Sequence, residues 1–176
     1  MRELPGDVTI YTDGACSPNP GPGGYGVVLI ANGERRELSG GCRKTTNNRM
    51  ELLSVIRGLR AVPNPNGKVT IYCDARYVVD MINGGHARQW RRDRWRRNRG
   101  KDRALNPDLW AELLDLCDLR DVTFVWVRGH ADSAENARCD ELAVAARRGE
   151  DLPPDEGYEA SLVPVEPAQL SLFDGL

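Results

Sequence analysis

Asp13, Glu51, Asp74 and Asp140 are the four acids whose placement suggests chemistry. Asp13 follows the apolar run VTIYT and precedes Gly14, and Asp74 follows VTIYC. Both therefore stand at the carboxyl ends of expected strands, where open α/β folds place their sites. Glu51 falls in the first turn of an expected helix, and Asp140 lies in the last one, between Cys139 and Glu141. Carboxylates gathered at a low-dielectric sheet edge repel one another unless they are protonated or bridged by a metal. Hard oxygen donors of this kind suit Mg2+ or Mn2+. Each acid also has an ordinary explanation: Asp before Gly forms turns, Glu in a first helical turn favours the helix dipole, and Asp140 can be surface charge.

The elements that must position these acids can be read in order. Residues 7–12 alternate as a strand, SPNPGPGG is a turn, residues 24–31 form a second strand, and Asn32-Gly33 marks a hairpin into a third within 34–43. From Asn48, apolar residues at 52, 55, 56 and 59 form a helical stripe that ends before Pro63. Residues 68–73 form a fourth strand and 76–83 a short helix. Asn106-Pro107 reads as a cap and first turn of a further helix. Residues 122–127 form a fifth strand, and the last helix covers 134–149. This order gives an α/β fold: a five-stranded mixed sheet flanked by helices.

Charge is unevenly distributed. Residues 88–103 carry nine Lys/Arg and two Asp, whereas residues 150–176 carry seven acids, no Lys or Arg, and four prolines. The first stretch suggests a polyanionic partner, and the second reads as a disordered tail beyond a domain of residues 1–149. Five cysteines without a C-x-x-C pair indicate reduced thiols. No apolar run is long enough for a membrane span, and the N-terminus lacks a signal-peptide core, so no membrane partner and a cytoplasmic location are expected.

Four blocks, YTDGACSPNPGPGGYG, TTNNRMELLSVIRGL, CDARYVVDMI and GHADSAENARCDELA, resemble in order and separation the type 1 ribonuclease H family. The resemblance covers residues 7–148. It implies a ribonuclease H-like fold and endonucleolytic hydrolysis of the RNA strand of RNA–DNA hybrids, leaving 5′-phosphate and 3′-hydroxyl ends. It makes Asp13, Glu51, Asp74 and Asp140 ligands of two Mg2+ ions, with Mn2+ as a substitute and Asp13 as the bridging ligand. His130 matches the family's catalytic histidine, with a role in proton shuttling or product release. Asn19, Asn47 and Asn48 are the expected readers of the ribose 2′-hydroxyl, although Asn48 can instead cap its helix. Thr45 and Thr46 are expected at phosphate. Arg76 stands where many relatives carry a neutral amide, which suits it to phosphate rather than to a base.

The basic stretch, between residues 85 and 105, matches the family's substrate-binding protrusion. Arg91, Arg92, Arg96 and Arg97 are expected to neutralise phosphates, and Trp90 and Trp95 to lie against sugars or stack. Rival readings are a DNA-acting nuclease of the same fold and a non-catalytic hybrid-binding module. A monomer is expected. At the C-terminus, QLSLF resembles the pentapeptide by which bacterial replication and repair proteins dock onto the sliding clamp, which assigns clamp contacts to Gln169, Leu170, Leu172 and Phe173.

Overall fold

The computed structural model describes residues 6–63, 67–129 and 133–164. The main sheet has the order β3-β2-β1-β4-β7. It is built from β1 (Val8–Cys16), β2 (Gly21–Ala31), β3 (Glu34–Thr45), β4 (Val69–Cys73) and β7 (Val122–Trp126). The first three strands form an antiparallel meander, and β4 and β7 add in parallel beside β1. The parallel ladder between β1 and β4 ends at Thr12 opposite Cys73. One residue later, on each strand, come Asp13 and Asp74.

The meander is longer than its sequence suggests. β1 continues through Asp13 to Cys16, because residues 13–16 pair with Gly23–Gly26 of β2 rather than entering the turn. That turn contains two cis peptide bonds, Ser17–Pro18 and Asn19–Pro20.

Among the described residues, six helices surround the sheet: α1 (Asn47–Arg60), α2 (Arg76–Asn83), α3 (His86–Arg92), α4 (Pro107–Asp118), α5 (Ala134–Arg147) and α6 (Glu156–Ser161). Ile10, Val27, Leu29 and Ile71 of the sheet are buried with Leu52, Val55, Ile56 and Leu59 of α1 and with Trp110, Leu113 and Leu114 of α4. The opposite face is covered by α5, which lies across β1, β2 and β3. Glycines allow both close approaches. A Cβ on Gly14 would sit 2.5 Å from the Glu51 backbone nitrogen, and one on Gly26 would sit 2.1 Å from the Cys139 carbonyl oxygen.

Three local expectations are corrected. Thr46, not Asn48, caps α1, its hydroxyl accepting from the Arg49 N–H at 3.3 Å. Asn106 precedes α4 in a left-handed conformation and makes no side-chain capping bond. Its amide instead donates to the Tyr77 hydroxyl at 3.2 Å.

The third concerns the acidic segment, expected to take no part in the fold, which is held to the domain as far as α6. The Arg43 N–H donates to the Pro153 carbonyl at 2.9 Å, and the Arg43 guanidinium pairs with Glu159 at 2.7 Å. Asp155, only 9% exposed, accepts from Arg49 Nε at 2.7 Å and from the Thr45 hydroxyl at 2.6 Å. One buried arginine supplies the interaction that a Pro-rich acidic composition does not predict.

Candidate active site

The close approach at Gly14 sets the start of α1 against the end of β1, so Glu51 is buried beside Asp13. Asp13 is 5% and Glu51 6% exposed. The Asp13 carboxylate accepts from the Gly14 N–H at 2.8 Å. Burial, followed by the charges of Asp74 and Asp140, nevertheless raises its pKa to about 7. Burial pushes Glu51 well above the usual carboxylate range, with further repulsion from Asp13 and Asp74, while the Gly14 N–H and the Asn47 amide pull the other way. Asp13 therefore lies in the fields of Asp74 and Asp140, and Glu51 in those of Asp13 and Asp74. Asp140 lies on α5, the helix that packs on β1.

Glu51, Cys73 and Asp74 each place one donor atom within 4.8 Å of the others. Glu51 Oε2 is buried with no hydrogen-bond partner. A buried carboxylate oxygen left unpaired is costly, and cations of charge two beside these acids relieve both that cost and the mutual repulsion. The donor set thus fits a divalent metal. Cys73 was not singled out by sequence, because a Cys that ends a β-strand reads as an ordinary core residue.

The predicted RNA-reading residues border this centre. Asn19 Oδ1 accepts from the Asn47 N–H at 3.2 Å, which ties the Pro/Gly turn to the start of α1. Asn19, Thr46 and Asn48 line a cavity of about 590 Å³ shared with Arg49, Asn106 and Tyr158. Thr45 is excluded from phosphate contact, because it is fully buried and its hydroxyl is given to Asp155.

On the other side of Asp74, the Arg76 guanidinium lies 3.9 Å over the Trp126 ring. The Trp126 indole N–H donates to the Asp74 carbonyl at 3.1 Å. Among residues that sequence reasoning missed, Arg49 had a visible signal. It lies three residues before Leu52 and so continues the buried stripe of α1, an unusual place for a charge.

The basic stretch folds as α3 followed by a small hairpin, β5 (Arg96–Arg97) with β6 (Asp102–Arg103). Arg92, Arg96 and Arg97 are exposed. A cavity of about 380 Å³ is bordered by Met81, His86, Trp90, Arg96 and Arg97. The two tryptophans are less available than expected. Both are half-buried against the core, and Trp90 meets Trp110 edge-on at 6.0 Å between ring centroids. Arg91 is also engaged, pairing with Asp115 and Asp118 of α4. His130, Gln169, Leu170, Leu172 and Phe173 lie outside the described residues.

A mixed sheet with buried acids gathered where its parallel strands end defines an α/β protein with a carboxylate centre of the kind that holds hard divalent cations. The chain belongs to the ribonuclease H family, whose profile matches residues 5–148; this is a family of nucleases that generally use divalent metal ions. It is 54% identical over 159 residues to a ribonuclease H of Trichodesmium erythraeum, covering 90% of this chain and all of the relative. A ribonuclease H of Rippkaea orientalis is 55% identical over 159 residues, covering 90% of this chain and 96% of the relative. Among solved structures, LC9-RNase H1, a type 1 enzyme with the type 2 active-site motif, matches with a TM-score of 0.72 and 31% identity, covering 96% of this chain and 86% of its own. LC11-RNase H1, solved in complex with an RNA/DNA hybrid, matches with a TM-score of 0.60 and 26% identity, covering 79% of this chain and 95% of its own.

Proposed function

We propose that this chain hydrolyses the RNA strand of RNA–DNA hybrids endonucleolytically, leaving 5′-phosphate and 3′-hydroxyl ends. The observation that carries the reading is the burial of Asp13 and Glu51 side by side, within the fields of Asp74 and Asp140, in a chain of this family. Asp13, Glu51, Asp74 and Asp140 hold two Mg2+ ions, with Mn2+ as a substitute. When bound, these ions supply a polarised water and neutralise charge on the phosphate under attack. The chain's own part is to fix four carboxylates in a water-poor corner and to orient the hybrid across it.

Asn19, Asn47 and Asn48 meet the RNA strand, and an amide can both donate to and accept from a 2′-hydroxyl. Thr46 caps α1 through its oxygen and retains its hydroxyl proton for a phosphate. Arg76, stacked on Trp126, offers a guanidinium to backbone phosphate beside Asp74. Arg92, Arg96 and Arg97, with Arg91 held by its acidic partners, hold the DNA strand at the basic segment, where Trp90 and Trp95 supply apolar walls. His130, four residues past the end of β7 in the sequence, moves a proton or speeds product release.

The test is cleavage of labelled RNA–DNA hybrid, double-stranded RNA and DNA duplex side by side with Mg2+. Cutting confined to the RNA of the hybrid is expected. Cutting of the DNA duplex would favour a DNA-acting nuclease, and binding without cutting would favour a hybrid-binding module.

Two further parts of the reading rest on sequence. The enzyme acts in the cytoplasm as a monomer, which sedimentation of the purified chain checks. Gln169, Leu170, Leu172 and Phe173 dock onto a bacterial sliding clamp, with the preceding residues as tether. Removal of residues 168–176 should abolish clamp binding and leave cleavage of free hybrid intact; unchanged clamp binding would remove this role.

A further inference from the structure

The carboxylate centre contains a sulfur donor that magnesium chemistry does not use. Cys73 is the last residue of β4 and is fully buried, on the strand face toward α1 and against Glu51. Its sulfur shares a 4.8 Å cluster with carboxylate oxygens of Glu51 and Asp74. Burial, followed by the Glu51 charge, pushes the Cys73 thiol up, while the Thr12 hydroxyl and the Ala75 N–H pull the other way, so only a cation that bonds sulfur strongly can displace its proton. Two buried oxygens in this corner, Thr12 Oγ1 and Glu51 Oε2, have no hydrogen-bond partner of their own. A cation shared by the sulfur and the carboxylates would give Glu51 Oε2 a partner, and a metal-bound sulfur would accept from Thr12.

We propose that Glu51, Cys73 and Asp74 form a binding site for a thiophilic divalent cation, Zn2+, which occupies the carboxylate centre in competition with Mg2+ and holds the enzyme inactive. One thiolate and two carboxylates form a three-donor set that leaves a fourth position for water, a coordination Zn2+ accepts readily. Mg2+ gains nothing from sulfur and keeps its oxygen ligands and waters. On binding, the Cys73 S–H bond breaks, its proton leaves to solvent, and a metal–sulfur bond forms with no change of oxidation state. Glu51 and Asp74 cannot serve both cations at once, so the two compete. This inference rests on the carboxylate centre proposed above and adds the selectivity of that centre.

The experiment uses the full chain with Cys16, the half-exposed thiol of β1, replaced by Ser in every sample. Zn2+ affinity is measured without nucleic acid by competition with a chromogenic chelator, and Co2+ is added separately to read thiolate-to-metal charge-transfer absorbance. The expected result is a charge-transfer band that is lost in Cys73→Ser and Cys73→Thr and weakened in Glu51→Gln. Zn2+ affinity should drop about tenfold or more in the Cys73 variants, and added Mg2+ should displace Zn2+ from the parent protein. Unchanged Zn2+ affinity in both Cys73 variants would overturn the proposal. So would a band that persists undiminished in Glu51→Gln and Asp74→Asn, since the metal would then sit on a thiol alone. If Cys73→Ser does not fold, Cys73→Thr and the two carboxylate variants still decide the matter. Failure here leaves hybrid cleavage by the parent protein untouched, whereas failure of the carboxylate centre itself appears as Mg2+-dependent cleavage surviving in Asp13→Asn.

Discussion

Asp13 is where folding and chemistry pull in opposite directions. Its pKa is raised to about 7, first by burial and then by Asp74, from an ordinary value of 3.8. The folded protein therefore binds this proton more tightly than the unfolded chain does. The stability so gained is present in full below the ordinary value and is lost as pH rises toward 7, where the folded side chain must also ionise. Metal-free protein should become less stable between about pH 4 and pH 7, and Mg2+ should raise the melting temperature much more at pH 8 than at pH 5. Asp13→Asn removes the charge and keeps the shape. It should stabilise the metal-free protein at pH 8 by about 2 kcal/mol, have little effect at pH 5, and flatten the response to Mg2+. Urea denaturation at the two pH values checks this. The same change should lower kcat on hybrid by about a thousandfold or more, the loss expected when several kcal/mol of charge neutralisation disappears. The four acids were legible because acids at strand and helix ends sit inside recognisable blocks. Cys73 was not, since only the folded register places its sulfur beside Glu51.

At the scale of elements, every strand of the main sheet and the four longest helices follow from periodicity and turn residues. The departures are short or depend on tertiary contacts. Residues 13–16 extend β1 because β2 is there to pair with them, which no local signal carries. α6 has only six residues in an acidic, Pro-rich stretch, and such a helix does not form alone. Its anchor is Arg49, whose side chain is 4% exposed and meets Asp155 and Asp108 at 2.7 Å each. Asp155 also caps the helix, accepting from the Tyr158 N–H at 3.2 Å. Removing Asp155 leaves the buried Arg49 with Asp108 as its remaining carboxylate and takes away the Thr45 hydroxyl's acceptor and the cap of α6. Asp155→Ala should therefore destabilise the protein by about 3–5 kcal/mol. Glu159→Ala, at an exposed pair with Arg43, should cost no more than about 1 kcal/mol. Hydrogen exchange should show α6 amides losing protection in the first variant and retaining it in the second.

Across the whole molecule, a chain of net charge −2 binds a polyanion by segregating its charge. The basic helix and hairpin present one field, and the acidic segment after α5 is tied by Arg43 and Arg49 to β3 and the start of α1. The sequence shows the basic segment but not how its arginines differ, because a run of like charges does not show which members already have acidic partners. Arg91 is held by Asp115 and Asp118 of α4, whereas Arg96 and Arg97 stand exposed on the hairpin. An arginine already neutralised by carboxylates displaces few counterions from a phosphate. Hybrid affinity, measured by fluorescence anisotropy with Asp13→Asn protein so that no cutting occurs, should fall steeply as salt rises. Arg97→Ala should reduce the slope of log affinity against log salt by about one, and Arg96→Ala should do the same. Arg91→Ala should change the slope by much less and instead lower thermal stability slightly, because Asp115 loses its Arg91 pair while Asp118 keeps Arg88. Equal slopes for all three variants would mean that the hairpin does not meet the hybrid, and the DNA strand would then have to be held elsewhere.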